Sequence, residues 1–420
     1  MIEQIITYSA LYISLFFSVV VLFTLLSNRG TLHSYPTAKS LPFVSIIVPA
    51  WNEERYIAAT VRSLLGLDYP RDKLEILVVN DGSTDRTSEI ARTLGRRHKN
   101  LRVIDKPNGG KASALNMGVS RARGAIVACM DADSEVHRSA LRMMVGHMDN
   151  PRVAAVTSSM KIKNKNASLM TKMQHTEYLF HMLLRKALCC LDCLTVAPGP
   201  FSLYRKSVVR SVGGFDDCNR VEDMDMTFRI HRAGYSVENV LDAHVWTNGP
   251  TTFTGLFNQR MRWFRGLIGT TLKYRDMVFS RNFGNFGMFL LPASSAFAVF
   301  TSLLFMVIVL KMSYSIAASL WSMHLIGFDL AYVTAGLRMP ELSVLLVDFR
   351  TAIYVGVSML GVLMLLLSYS KARERVRDGA AGVLGFLLLM PLLLSFFWTL
   401  AMFYELTGKR KMWLHKGEAK

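Results

Sequence analysis

The chain has 420 residues, of which 51% are hydrophobic and 19% are charged, and its formal net charge is +18. This composition excludes a disordered chain, a collagen and a small disulfide scaffold, and it is too apolar for an ordinary soluble protein. The excess of basic residues predicts an anionic partner: lipid headgroups, a phosphorylated small molecule or nucleic acid.

The first predicted element is an apolar helix over residues 5–26, which is long enough to cross a bilayer. No basic residue precedes it as in a signal peptide, so we predict a retained anchor within residues 1–35. Arg29 and Lys39 follow the helix, and this charge bias predicts an N-terminus outside and a following region in the cytosol. All five cysteines lie in that region, which fits a reducing compartment rather than a disulfide framework.

Residues 36–282 carry most of the charges and are predicted to form one cytosolic domain. Short apolar runs alternate there with helix-like stretches, and the runs begin at Val44, Leu74, Leu101, Ala125 and Val153. This alternation is typical of an α/β fold with a doubly wound, mostly parallel sheet. Such sheets bind ligands beyond the carboxyl ends of their strands, so the polar residues at those ends are the candidate site.

Polar motifs stand at three of these strand ends or loops. Asp131 and Asp133 follow a strand and could hold one Mg²⁺ or Mn²⁺ together with a diphosphate, although acidic turns after strands are also common. Asp81, in the segment NDGSTD, could accept from a base or a ribose hydroxyl, and the segment could also cap a helix. Lys111 follows two glycines at a helix start, where it could meet phosphate oxygens or simply be solvated.

Two further motifs follow in the same domain. Glu222 and Asp223 begin an amphipathic helix, where the helix dipole alone favours acids; Asp223 is also a candidate base for an alcohol proton. The segment QRMRW, residues 259–263, lies in a basic amphipathic stretch, and interfacial helices are predicted near residues 168–190 and 253–280. Arg262 could bind a diphosphate in bidentate fashion, and Trp263 offers a face for a sugar ring.

The C-terminal part is predicted to be a membrane region over residues 283–407, followed by a basic tail over residues 408–420. Its apolar stretches are residues 283–310, a weaker stretch 313–337, then 352–369 and 380–403. The basic run 371–377 and the basic tail both favour the cytosol, yet only one convincing stretch separates them. The sequence therefore does not decide whether the whole chain has four or five membrane spans.

Five motifs occur in a fixed order: VSIIVPAWNEE, VVNDGSTD, DAD, VEDMD and QRMRW. Together they resemble glycosyltransferase family 2, and within it the membrane-embedded processive synthases of hyaluronan, chitin, cellulose and poly-N-acetylglucosamine. The resemblance covers residues 43–266 and implies a GT-A-like domain between one N-terminal and several C-terminal transmembrane helices. One departure is Val221, which stands where the family's TED motif has threonine.

The resemblance also implies a role for individual residues. Asp223 would be the general base and Asp133 the metal ligand, with Mg²⁺ or Mn²⁺ as the metal. The substrate-binding residues would be Pro49, Asn52, Glu53 and Asp81 around uridine, Lys111, Asp131 and Glu222 near the donor, and Gln259, Arg262 and Trp263 beside the diphosphate and the acceptor sugar. The segment GPFSLYR, which begins at Gly199, looks like the part of the hyaluronan synthases just before the acceptor site.

The implied protein is an inverting hexosyltransferase of the plasma membrane, surrounded by lipids, with its catalytic domain in the cytosol. It would move a sugar from a UDP-sugar to a growing β-linked polysaccharide, with a leaning toward N-acetylglucosamine, and extrude the product through its own helices. A non-processive transferase acting on a lipid or polyprenyl phosphate is the first alternative, and a transporter or non-catalytic nucleotide-binding scaffold is the second. Nucleic acid is not an expected partner, because no aromatic and basic recognition motif is present.

Overall fold

The computed structural model describes residues 2–219, 221–325, 327 and 349–408. Eight strands form one sheet: β1 Val44–Ala50, β2 Leu74–Asp81, β3 Leu101–Lys106, β4 Ile126–Cys129, β5 Glu135–Val136, β6 Val153–Ile162, β7 Ser202–Arg205 and β8 Ser236–Thr247. The helices up to the end of the sheet are α1 Ile2–Ser27, α2 Ile57–Leu65, α3 Thr87–Gly95, α4 Lys111–Arg121, α5 Ala140–Val145, α6 Leu169–Cys190, α7 Lys206–Ser211 and α8 Glu222–Arg232. After the sheet come α9 Phe253–Lys273, α10 Leu291–Leu325, α11 Phe349–Lys371, α12 Ala380–Leu388 and α13 Met390–Leu406.

The strand order across the sheet is β3-β2-β1-β4-β7-β6-β8-β5. The first four strands in this order run parallel to one another, and β6 runs parallel to β8. β7 is antiparallel to both of its neighbours, and β5 is antiparallel to β8. The predicted doubly wound, mostly parallel sheet is confirmed, with a mixed half that the sequence pattern did not reveal because β7 has only four residues.

Helices cover both faces of the sheet, as the alternation of apolar runs and helical stretches predicts. Ile46 of β1 packs in one core with Val61 of α2, whereas the next residue, Ile47, packs in the other core with Leu115 of α4. Successive side chains of a strand point to opposite faces, so a strand that is buried on both faces reads as a continuous apolar run. The parallel arrangement then brings the carboxyl ends of β1, β2 and β4 to one edge.

Two long helices, α6 and α9, are joined by a buried ion pair. Arg260 Nη2 lies 2.5 Å from Glu177 Oε2, and the two side chains are only 1% and 2% exposed. The end of α9 is fixed to the start of α8, because Lys273 Nζ lies 2.6 Å from Asp225 Oδ1. α9 is therefore attached to α6 in its middle and to α8 at its end.

Among the described residues, three helices are long and apolar enough to cross a membrane: Gln4–Ser27, Phe286–Leu325 and Thr351–Lys371. Two further helices, Val376–Leu388 and Met390–Leu406, form a bent pair. If this pair is one span, the described residues contain up to four candidate spans. The predicted stretch 283–310 and the first part of the stretch 313–337 lie on one continuous helix as far as Leu325, and the remainder falls outside the described residues. The predicted boundary between the cytosolic domain and the membrane region, near residue 282, stays a prediction. Phe286 and Leu291, which follow that boundary, still pack in a core of the sheet domain.

Candidate active site

The loops that follow β1 and β2 are tied together by side chains of the two predicted motifs. Asn52 has a positive φ of 55°, and its Oδ1 accepts a hydrogen bond from Thr84 N at 2.9 Å. Glu53 N donates to Thr87 Oγ1 at 2.7 Å. Asp85 accepts from Thr87 N at the start of α3, so the NDGSTD segment does cap a helix as well as bracing the first loop. Pro49, half-buried in β1, lies in register with Val79 of β2.

Asp81 holds the glycine loop that leads into α4. Its two carboxylate oxygens accept from Gly109 N at 3.0 Å and Gly110 N at 2.8 Å, and Lys106 Nζ donates to it as well. Gly110 has a φ of +86°, which is the left-handed conformation that glycine adopts without steric cost. The carboxylate thus shapes the turn that delivers Lys111, the first residue of α4, to the sheet edge.

Lys111 joins the strand-end carboxylates to the acidic start of α8. Its Nζ lies 2.6 Å from Asp131 Oδ1 and 3.0 Å from Glu222 Oε1. Burial lowers the pKa of Lys111, but the two carboxylates outweigh burial and raise it well above its usual value. The ammonium therefore stays charged and links two segments that are about ninety residues apart in the sequence.

Glu53 and Asp133 have raised pKa values. Burial, together with the charges of Asp133 and Asp131, raises the pKa of Glu53 to about 7. Burial and Asp131 also raise the pKa of Asp133, against the lowering effect of Lys111. Burial and the repulsion between carboxylates both disfavour the charged forms, which a hard divalent cation bound there would favour.

These carboxylates fit a metal that is shared with a ligand. Within the described part of the chain, no set of three or more His, Cys, Asp or Glu side chains is arranged to hold a metal by itself. Asp131 and Asp133 offer carboxylate oxygens at one turn, and a metal held there would need its remaining ligands from a bound diphosphate. The donor set is therefore suited to Mg²⁺ or Mn²⁺ bound together with a nucleotide.

Gly199 lies between the strand-end carboxylates and Asp223. Its N–H donates to Asp223 Oδ2 at 3.2 Å, and a Cβ atom added there would stand 2.6 Å from Lys111 Nζ and 2.7 Å from Asp131 Oδ1. The preceding segment is held to α8 as well, because Ala197 N donates to Thr227 Oγ1 at 2.9 Å. The carboxylates at the end of β4 and at the start of α8 therefore open into one cleft.

Asp223 is partly exposed in this cleft. Burial by the surrounding protein and the neighbouring Glu222 carboxylate, opposed by Lys111, raise the pKa of Asp223 to about 6. The Asp223 carboxylate is consequently ionised at neutral pH but is more basic than a solvated aspartate, which suits a group that accepts a proton.

The QRMRW segment lies on α9, next to the cleft. Arg262 is exposed, and with Lys111 it lowers the pKa of Glu222, against the raising effect of burial. Trp263 is half-buried, and the guanidinium carbon of Arg260 lies 4.4 Å from its ring centroid. Gln259 keeps its Oε1 buried, with no hydrogen-bond partner among the residues that the structure describes.

A small cavity adjoins Trp263, and the sequence did not predict its other walls. It is lined by Met160, Tyr178, His181, Met182, Arg185 and Trp263. Four of these residues come from α6, where polar residues at positions 177, 181 and 185 recur every four residues in an apolar helix and so share one face. That spacing is the sequence signal from which a polar face of α6 could have been predicted. The role of Gly199, by contrast, depends on contacts with residues far away in sequence.

The chain was compared with known proteins. Residues 45–213 match the family model described as Glycosyl transferase family 2. The chain is 33% identical over 247 residues to the probable glycosyltransferase YdaM of Bacillus subtilis (strain 168), covering 57% of this chain and 59% of that protein. It is 32% identical to the beta-monoglucosyldiacylglycerol synthase of Nostoc sp. (58% and 53% covered) and 32% identical to the poly-beta-1,6-N-acetyl-D-glucosamine synthase of Staphylococcus epidermidis (53% and 54% covered).

The chain spans between half and three fifths of the length of these curated relatives. Among solved structures, the mannosyltransferase PcManGT from Pyrobaculum calidifontis, in complex with GDP-Man and Mn²⁺, aligns with a TM-score of 0.57. The identity is 21%, and the alignment covers 91% of this chain and 99% of that chain. At this identity the likeness establishes the fold alone, and the predicted GT-A-like fold is confirmed.

Proposed function

We propose that the protein is an inverting, metal-dependent hexosyltransferase, and the match of residues 45–213 to the glycosyl transferase family 2 model supports this. It transfers a sugar from a UDP-sugar to the end of a growing β-linked polysaccharide, at the cytosolic face of the plasma membrane. The observation that carries this proposal is the convergence of Lys111, Asp131, Glu222 and Asp223 around Gly199. Together with Gly199 these residues come from four separate segments, and a merely structural helix cap would not need them all.

The reaction is one displacement at the anomeric carbon. Asp223 removes the proton from an acceptor hydroxyl, the acceptor oxygen bonds to the anomeric carbon, and the bond from that carbon to the diphosphate oxygen breaks. The nucleoside diphosphate leaves from the opposite face and carries the bonding electron pair. A single displacement inverts the configuration, so an α-linked UDP-sugar gives a β-linked product.

The leaving group is negatively charged, and the cleft offers cations to it. Lys111 and Arg262 flank Glu222 and can neutralise charge that develops on the diphosphate. Asp131 and Asp133 would hold Mg²⁺ or Mn²⁺, which when bound supplies further positive charge to the diphosphate oxygens. Pro49, Asn52, Glu53 and Asp81 remain the proposed uridine side of the site; in the described structure Asp81 acts by shaping the loop before Lys111.

The acceptor sugar would stack on Trp263, next to the small cavity. The cavity itself, at about 20 Å³, has room for little more than a water molecule, but Tyr178, His181 and Arg185 in its walls would be the nearest aromatic and polar groups to that sugar. Gln259 stands in the same segment with an unsatisfied acceptor atom. A polysaccharide end bound there would present its hydroxyl to Asp223. The growing polysaccharide would then be extruded during synthesis between the neighbouring apolar helices.

A lipid acceptor is the second candidate function. The relatives named as beta-monoglucosyldiacylglycerol synthase and as poly-beta-1,6-N-acetyl-D-glucosamine synthase are equally similar to this chain, at 32% identity. The donor half of the mechanism is the same in both cases. Only the number of sugars added and the molecule that receives them differ.

The test is a product analysis on membranes that contain the full chain. Membranes would be incubated with a panel of radiolabelled UDP-sugars, with Mn²⁺ or Mg²⁺, and the products separated by size and by extraction into organic solvent. High polymer or a ladder supports the polysaccharide synthase, and one sugar on an extractable lipid supports the second candidate. No transfer from any UDP-sugar would contradict both.

The rate of transfer should depend on pH through Asp223. A base must be deprotonated to act, so with a pKa of about 6 we expect kcat/KM to fall as the pH drops below 6 and to level off above it. The measurement is a pH profile of transfer with UDP affinity determined at each pH. A flat profile from pH 5 to 7 with constant UDP affinity would contradict the assignment.

The close contacts of Gly199 predict a large effect for a small substitution. In the Gly199→Ala variant the new Cβ would fall 2.6 Å from Lys111 Nζ and 2.7 Å from Asp131 Oδ1, so that ion pair must shift. A displacement of this size at a reacting centre costs about 10²-fold in rate. The matched control is Gly269→Ala on α9, where nothing lies within 4 Å of the added atom. Equal transfer rates in the two variants would show that Gly199 has no positioning role.

A further inference from the structure

The last two described helices, α12 and α13, meet at an angle of 44°. If they crossed the membrane once, they would separate two basic segments. One segment is residues 371–377, which contains Lys371, Arg373, Arg375 and Arg377, and the other follows Gly408 in the sequence with Lys409, Arg410, Lys411, Lys416 and Lys420. Basic segments of this kind remain on the cytosolic side, so a single crossing conflicts with the charge distribution.

The segment that leads into α12 is fixed to the sheet domain. Glu374 Oε2 lies 2.7 Å from His175 Nε2, and its Oε1 lies 3.1 Å from Lys161 Nζ. The same lysine donates to Ala372 O at 3.1 Å. Lys161 belongs to β6 and His175 to α6, so the chain enters the helix pair on the side of the membrane where the sheet lies.

α12 then packs closely on the beginning of α6. An added Cβ at Gly382 would lie 2.6 Å from Lys172 O, and one at Gly385 would lie 2.7 Å from Met173 Cγ. Contacts this short require the two helices to approach through glycine, without a lipid between them. α12 therefore packs directly on the beginning of α6, the helix that is joined to α9 by the Glu177–Arg260 ion pair.

α13 runs along α9 from its beginning to its middle. Phe397 lies near Phe253 and Phe257, with ring centroids 5.9 and 5.6 Å apart. Trp398 stacks on Phe264 at 4.3 Å. The sequence of these contacts means that the two helices run side by side in the same direction.

The end of α13 is attached to the same helix. Glu405 Oε1 lies 2.6 Å from Arg265 Nε, and the Arg265 side chain is buried. Phe257, Arg265 and Glu405 make further contacts besides these. Since Glu405 is the second-last residue of α13, the helix ends where α9 lies.

α9 itself does not leave the sheet domain. Gln174 Nε2 donates to Pro250 O at 2.8 Å just before α9 begins, Arg260 pairs with Glu177 in the middle, and Lys273 pairs with Asp225 at the end. A helix that runs beside α9 up to Arg265 cannot carry the chain to the far side. α12 and α13 have nine and 17 residues, so each is also shorter than the roughly 20 residues needed for a span.

We infer that α12 and α13 form a re-entrant pair, which enters and leaves the membrane surface on the side of the sheet domain. α1, the helix that contains α10, and α11 are then the crossing helices among those described. The two ends of the helix pair, Ala380 and Leu406, then lie on one side of the membrane, which removes the charge conflict left by the sequence. This inference goes beyond the proposed function and does not depend on it, because it rests on helix contacts and charges.

The test is labelling of the end of α13 with a membrane-impermeant maleimide in sealed vesicles of both orientations. The reporter is Thr407→Cys, an exposed position just after α13, in a chain whose exposed cysteines are removed by Cys190→Ser and Cys218→Ser. Native Cys218, kept in a second sample with Cys190→Ser alone, marks the side of the sheet domain. Gln4→Cys in the cysteine-reduced background marks the other end of α1.

The Thr407→Cys variant is expected to label in the same vesicles as Cys218 and to lose its labelling in vesicles of the opposite orientation. Labelling in the opposite vesicles would mean that the pair crosses the membrane, and it would overturn the inference. Labelling from neither side until detergent is added would place the end of α13 inside the bilayer and would overturn it equally. The assay needs no enzymatic activity, so its failure is distinguishable from failure of the proposed transferase function.

Discussion

The Asp223→Asn variant is expected to transfer sugar about 10²- to 10⁴-fold more slowly than the wild type, which is the usual contribution of a general base. Asparagine keeps the shape of the side chain, and its carbonyl oxygen can still accept from Gly199 N, but it cannot take up a proton. The measurement is kcat with saturating UDP-sugar, together with the affinity for UDP. We expect the UDP affinity to stay within a few-fold of the wild type.

The matched control is Asp217→Asn, which makes the same chemical change at an exposed position six residues earlier. It should transfer at the wild-type rate. If Asp223→Asn also transfers at that rate, Asp223 is not the base. If its loss in rate is matched by an equal loss in UDP affinity, the residue binds the donor instead.

The Arg260→Met variant is expected to lose about 3–5 kcal/mol of stability, because it leaves Glu177 buried without its partner charge. Burial already raises the pKa of Glu177 against the lowering effect of Arg260, so the carboxyl would take up a proton in the variant. The readout is the apparent melting temperature of the purified protein in detergent. Combining Arg260→Met with Glu177→Leu should recover much of the loss, since no buried charge then remains.

Arg262→Met is the matched control for this prediction. It makes the same change two residues further along α9, at an exposed side chain, and should leave the melting temperature unchanged while lowering the transfer rate. The prediction is wrong if Arg260→Met has the melting temperature of the wild type. It is also wrong if the melting temperature of Arg262→Met is as low as that of Arg260→Met. The second result would mean that any charge removal destabilises the helix.

The sheet could be predicted, and so could the strand ends at which polar residues stand, because both depend on local patterns. A strand buried on two faces gives an apolar run such as that from Val44, and polar residues such as Asp81 and Asp131 mark where the run ends. Parallel connections then bring those ends to one edge. That these residues bind UDP and a metal ion remains a prediction.

Contacts between remote segments could not be predicted. Nothing near Gly199 in the sequence indicates that Lys111 and Asp131 lie against it. Those residues are far away in sequence, and the pairing of β4 with β7 brings the two segments together. Glu177 resembles an ordinary polar residue of an amphipathic helix until Arg260 is placed opposite. Composition also left the path of α12 and α13 undecided, since apolar residues pack equally well against lipid and against helices such as α6 and α9.

The helix Phe286–Leu325 has 40 residues, a length of about 60 Å, whereas the hydrocarbon layer is about 30 Å thick. Phe286 and Leu291 pack in the core of the sheet domain, whereas residues 292–310 contain no Asp, Glu, Lys or Arg and, at about 28 Å, suffice for a crossing. The 14 residues after Lys311 would then extend the rigid helix about 20 Å beyond the opposite edge of the hydrocarbon layer.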